Sequence, residues 1–143
     1  MKLIKVFSFF ALSGFLLSAC SSSTGVTNIS LKKSSIYNTD WKLLNEDNEL
    51  VKGFNGEYVN LTIDEPTLNS NGYAGCNKFS STISITEENN ISFGPVTSTE
   101  MSCPSYRIED SYLNLLKNVN RYEIKKNEMF LYKNNILLLK FIN

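Results

Sequence analysis

Apolar residues in this chain follow two rules. Near the start they form one block, and from Tyr37 onward they mostly alternate with polar ones. Tyr58-Val59-Asn60-Leu61-Thr62-Ile63 puts Val59, Leu61 and Ile63 on one face, the period-two pattern of a half-buried strand. Ser80 to Thr86 repeats it, with Ile83 and Ile85 against Thr82 and Ser84, and Glu87-Glu88-Asn89-Asn90 turns the chain into Ile91-Ser92-Phe93. Trp41 and Leu43, with Tyr37 before them, suggest a first strand. Asn and Gly tolerate positive φ, so Asn71-Gly72 and Asn134-Asn135 read as turns. Met129 to Tyr132, Asn134-Asn135 and Ile136 to Ile142 then predict a terminal hairpin.

One stretch changes period. After Pro104, the residues Ile108, Tyr112, Leu115, Leu116 and Val119 recur at three- and four-residue steps. Pro costs no hydrogen bond in a first helical turn, and Glu109 and Asp110 sit early, where the helix dipole favours acids. With Lys117 near the other end, the spacing predicts one amphipathic helix of about four turns whose apolar stripe packs on the sheet rather than on a partner. Seven or eight short strands and one late helix make a mainly β (α+β) domain, a compact antiparallel sheet closed or folded over on itself. No repeat or second domain is visible.

The apolar block has a different use. Lys2 and Lys5 precede an apolar run from Val6 to Leu17, and Leu17-Ser18-Ala19-Cys20 follows. Positive end, apolar core and small residues are the order of a signal peptide, and the run is shorter than the roughly 20 apolar residues that span a bilayer. Small residues before a cysteine fit a lipobox, so residues 1–19 are expected to be removed and Cys20 lipidated. An uncleaved anchor or a buried N-terminal helix is the alternative. Acyl chains on Cys20 would give the multiple-chain anchoring that one fatty acid cannot. Ser21, where aspartate would favour inner-membrane retention, points to the outer membrane in a cell with two. Residues 20–35, rich in Ser and Thr, read as a tether, and 36–143 as the domain.

Removing residues 1–19 takes away Lys2 and Lys5 and leaves 12 basic against 14 acidic side chains, a net of −2. No basic stripe with interleaved aromatics suggests nucleic acid. The chain has no histidine, so no Ser-His-Asp or Cys-His pair and no His-ligated zinc is available. No cofactor or metal is expected. With Cys20 lipidated, Cys76 and Cys103 remain as an even pair. Outside the cytoplasm a disulfide is the default, with two reduced, buried cysteines as the alternative.

Two stretches carry a resemblance. They are Gly72-Tyr73-Ala74-Gly75-Cys76-Asn77-Lys78-Phe79-Ser80 and Phe93-Gly94-Pro95-Val96-Thr97-Ser98-Thr99-Glu100-Met101-Ser102-Cys103-Pro104. In order and separation they resemble the META (HslJ-like) domain family, which shows a Trp near the start, G-x-x-G-C-N-x-F, a strand ending near F-G, and T-x-M-A-C before a helix with an early Glu. Trp41, Gly75, Cys76, Asn77, Phe79, Thr99, Met101, Cys103 and Glu109 fall in those places. Ser102 stands where alanine is usual, and Glu100 where a base is frequent, so a cationic role there does not carry over. The likeness spans about Tyr37 to Ile142. It implies a small β-barrel-like fold of two packed sheets with one helix, similar to secretion pilot lipoproteins that hold lipid tails internally. It also implies no defined enzymatic activity and a link to heat shock, antibiotic tolerance and envelope stress.

The resulting expectation is a monomeric, non-catalytic envelope lipoprotein that binds an apolar ligand or an envelope protein. An exported inhibitor of a hydrolase such as lysozyme, with Tyr73 in an exposed turn as its plug, is the alternative. Three carboxylate pairs, Asp64-Glu65, Glu87-Glu88 and Glu109-Asp110, are the nearest thing to an enzyme's inventory. Glycosidase chemistry needs about 5–10 Å across a cleft, and adjacent residues usually diverge. A structural spacer is the remaining reading.

Overall fold

A computed structural model describes residues 35–104 and 107–143. Residues 1–34, and with them Cys20, the expected leader and almost all of the expected tether, lie outside the described residues. Among the described residues, nine strands and one helix run in the order β1 (Trp41–Leu44), β2 (Asn60–Asp64), β3 (Asn69–Tyr73), β4 (Lys78–Ile85), β5 (Ile91–Phe93), β6 (Thr97–Ser98), α1 (Arg107–Lys117), β7 (Arg121–Lys125), β8 (Glu128–Lys133) and β9 (Ile136–Ile142). The strands pair in the order β5-β4-β3-β2-β1-β9-β8-β7, all antiparallel, with β6 also on β4. Along this path each pair of sheet neighbours is also consecutive in the chain, except for β1 and β9, which join the two halves through Leu43 opposite Phe141.

Alternation decides which faces meet. Trp41, Leu61, Ile63, Ile83, Met129 and Phe141 all point into one buried cluster, although they come from both halves of the sheet. From α1, Tyr112 and Leu116 enter the same cluster. The Tyr112 ring stands edge-on to Phe79 at 5.6 Å and to Phe141 at 6.3 Å, and its hydroxyl donates to the Asn60 carbonyl at 3.2 Å. Trp41 Nε1–H donates to the Ile36 carbonyl at 3.2 Å, so the most buried aromatic leaves no donor unpaired.

A mainly β domain with one helix is what the pattern predicts. The barrel is not closed, however. β5 and β7, the two ends of the strand path, touch at a single bridge, Asn90 opposite Arg121. Two backbone bonds hold it: Ile91 N–H to the Asn120 carbonyl at 3.2 Å, and Tyr122 N–H to the Asn89 carbonyl at 2.9 Å. β5 then stops after Phe93 at Gly94-Pro95, where Pro lacks the N–H a ladder needs. α1 packs on β5 and β9. Trp41, Tyr112 and Phe141 fill the interior with fully buried side chains.

Three local expectations change. Asn71-Gly72 lies inside β3, not at a turn: a Cβ on Gly72 would strike the carbonyl oxygen of Asn60 on β2, so glycine permits close strand approach. The turn itself is Glu65-Pro66-Thr67-Leu68, where Asp64 Oδ1 accepts the Thr67 N–H at 2.9 Å and hydroxyl at 2.6 Å. α1 has 11 residues, about three turns, and Val119 is buried just beyond it. Tyr37 precedes β1 and does not belong to it.

Candidate functional site

The two motif stretches meet at the N-terminal end of α1. Cys76 is buried immediately before β4, and Cys103 is half-buried in the segment leading to the helix. A disulfide joins them, with Cα atoms 6.0 Å apart. The pair is bonded, and the reduced alternative falls.

Asn77 organises what surrounds the bond. Its Oδ1 accepts from the Thr99 hydroxyl at 2.8 Å and from Met101 N–H at 2.7 Å. Its Nδ2 donates to Glu109 Oε1 at 3.0 Å and to the Met101 carbonyl at 3.2 Å. Its backbone N–H donates to Glu109 Oε2 at 2.6 Å. One side chain thus gathers the β6–α1 segment and the helix start onto β4. Glu109, 9 % exposed, sits in the first helical turn, where the dipole favours a negative charge and both oxygens have a donor.

Gly75 is required by its backbone. Its φ of 113° lies in the left-handed half of the map, and an added Cβ would stand 3.1 Å from Ile108 Cγ2 on α1. Its carbonyl accepts from Phe54 N–H and from the Tyr73 hydroxyl, both at 2.7 Å. Tyr73 is therefore buried on β3, not an exposed plug, and its polar tip is already used. Phe79 is buried on β4 against Tyr112. Met101 works through its main chain, while its side chain is 60 % exposed.

This constellation is a clamp rather than reactive machinery. Both sulfurs are in a bond, and both Glu109 oxygens accept hydrogen bonds. Glu109 and Asp110 diverge, one buried and one exposed. Asp64 is occupied with Thr67, whose hydroxyl and then N–H hold its carboxyl below the usual carboxylate value. Glu87 and Glu88 lie in an exposed turn.

A second feature was not anticipated from the sequence. An apolar groove of about 490 Å³ runs between α1 and the β1–β9 pair, lined by Leu43, Leu44, Val51, Ile108, Leu115 and Leu138. Arg107 and Glu46 also line it. At the start of β9, Ile136 and Leu137 are 67 % and 48 % exposed. The run Ile136-Leu137-Leu138-Leu139 was the available signal, since a half-buried strand should place polar residues at alternate positions.

The META domain model matches residues 34–143. The chain belongs to the META domain family. Among solved structures, an NMR structure of a protein from Burkholderia xenovorans is 25 % identical with a TM-score of 0.58, covering 75 % of this chain and 82 % of that one. A second NMR structure, 15 % identical with a TM-score of 0.54, covers 72 % and 86 %. A crystal structure of a DUF4847 family protein from Bacteroides vulgatus, also 15 % identical, has a TM-score of 0.50 and covers 59 % and 57 %. Those two share the fold alone. No curated protein matches the chain. For this META domain, the cysteine motif marks the clamp that fixes helix to sheet, and the groove, which shares Ile108 with it, is lined by other residues of α1, β1 and β9.

Proposed function

We propose that this META domain is the working part of a non-catalytic envelope lipoprotein held to a membrane by acyl chains on Cys20, the outer membrane where there are two. It takes an apolar ligand, or an apolar segment of an envelope protein, in the groove between α1 and β1–β9. Stress or antibiotic tolerance is the physiological role the family likeness suggests. The groove carries the binding half of this reading: a core already filled by aromatics moves ligand binding to the surface, and this depression is within the 300–1,000 Å³ range of small-molecule sites. A disulfide is in keeping with an oxidising compartment, and the order of residues 2–20 supports export.

Two measurements test the halves separately. Radiolabelled palmitate should enter the full chain and be lost in Cys20→Ala, which should also leave the membrane fraction. Labelling that persists in Cys20→Ala would remove the tether. A fluorescent fatty acid titrated into the protein should bind saturably, and Leu44→Lys should weaken it about tenfold with an unchanged melting temperature. No binding, or equal binding by Leu44→Lys, would rule out the groove as an apolar ligand site.

A further inference from the structure

We propose that a second, polar groove, over the seam between β5 and β7, binds a saccharide that carries an acidic group. This site is independent of the tether and of the apolar groove. It is a depression of about 460 Å³ on the face where the two ends of the strand path meet. Ile91, 1 % exposed, is at its base. Ser84 and Ser92 are register partners on β4 and β5 and both are exposed, so their hydroxyls lie side by side on one wall. Arg121, at the start of β7, and Asn135, in the β8–β9 turn, line the other.

Arg121 is held in place before any ligand arrives. Its Nε–H donates to the Asn134 carbonyl at 3.3 Å, and its guanidinium lies 4.0 Å from the centre of the Tyr132 ring. Asn134 is itself fixed, donating its N–H to Asn120 Oδ1 and accepting from Asn120 Nδ2, both at 2.7 Å. Among the described residues no carboxylate lies within ion-pair distance of Arg121. Glu123, two residues along the strand, pairs with Lys125 at 3.1 Å and also feels the Arg121 charge from beyond ion-pair distance. Arg121, Ser84, Ser92 and Asn135 thus line a groove already shaped, which lowers the ordering cost of binding.

The donor set selects the ligand class. Serine hydroxyls and an asparagine amide both donate and accept, the match for a sugar's hydroxyls, and a planar guanidinium suits a carboxylate. One cation does not make a polyanion site, and Glu88 at the rim, accepting from Asn90 at 3.4 Å, works against dense negative charge. An isolated acidic group on an otherwise neutral glycan fits both conditions.

The full chain in detergent micelles, titrated with a glucuronate–N-acetylglucosamine disaccharide, should show saturable binding by calorimetry. Amide shifts should be centred on Ser92 and Arg121. Reducing the carboxylate to an alcohol should weaken binding about tenfold. Arg121→Gln should weaken the acidic disaccharide about tenfold and leave the neutral one unchanged, with the melting temperature preserved. Arg121→Lys, which keeps charge without the planar fork, should fall between them. Equal binding of the two disaccharides, an unaffected Arg121→Gln, or no binding at millimolar concentration would each overturn the proposal. Inorganic phosphate binding as tightly as the disaccharide would reduce the groove to a simple anion site and refute the saccharide.

Discussion

Asn77 is the residue on which the clamp turns, and its use could not be read from its neighbours in sequence. Asparagine after cysteine is compatible with a turn, a cap or a strand edge. Its partners Thr99, Met101 and Glu109 lie 22, 24 and 32 residues away. The family likeness marks them as motif positions without pairing them. Asn77→Ala should destabilise the domain by about 3 kcal/mol, because Met101 N–H, Thr99 and one oxygen of the buried Glu109 all lose their partner. The midpoint of urea denaturation reads this directly, and an unchanged midpoint would mean water replaces the amide. At Asp64 the signal was local and was missed: Asp-x-x-Thr with Pro between them is an Asx-turn pattern, whereas Asn71-Gly72 drew the turn prediction. Hydrogen bonding lowers the Asp64 pKa, so its contribution to stability is present above the unfolded value near 4 and lost as pH falls through the lower folded value. Thr67→Val removes the larger cause and should raise the Asp64 midpoint seen by carbonyl NMR, though not to the unfolded value, since the Thr67 N–H remains. A midpoint that stays put would assign the shift to the backbone bond.

At the scale of elements, legibility tracked how far each segment's fate depended on distant chain. β2, β4 and the β8–β9 hairpin were legible because one face of each is buried and alternation reports that directly. β3 was not, because Asn69-Ser70-Asn71-Gly72-Tyr73 has almost no apolar face. It is a strand because β2 and β4 pair with it from both sides, and buried Ser70 donates its hydroxyl to the Ser81 carbonyl at 3.0 Å. The helix was legible from its period, yet its docking depends on the disulfide and on Glu109. Cys76→Ala with Cys103→Ala opens a loop of 27 residues and should cost about 3.5 kcal/mol on the chain-entropy model. The loss should appear first in α1: helical circular dichroism should fall at a lower urea concentration than near-ultraviolet signal from Trp41, which is seated in the sheet. Coincident transitions would show that helix and sheet unfold as one unit without the staple.

For the whole molecule, the choice between a closed barrel and an open sheet rests on a few atoms. Period-two patterning is the same in both, so the sequence could not separate them. The outcome is set where Gly94-Pro95 ends β5 after three residues and the helix, rather than another strand, covers the core. Among the described residues, the backbone bonds of the seam are those of the Ile91 and Tyr122 N–H groups, beside an open groove, whereas Leu131 and Phe141 sit in ladders paired on both sides. Local opening needs only the bonds that bound it, so the seam should be a low-energy fluctuation of an otherwise cooperative domain. Native-state hydrogen exchange should show the Ile91 and Tyr122 amides exchanging at least tenfold faster than those of Leu131 and Phe141. Asn120→Ala, which loosens the β8–β9 turn from β7, should widen that difference without moving the Phe141 rate. Equal protection would mean the two ends behave as continuously paired strands. An acidic disaccharide bridging Ser92 and Arg121 should slow the Ile91 and Tyr122 amides selectively, since binding across the seam opposes its opening in proportion to occupancy.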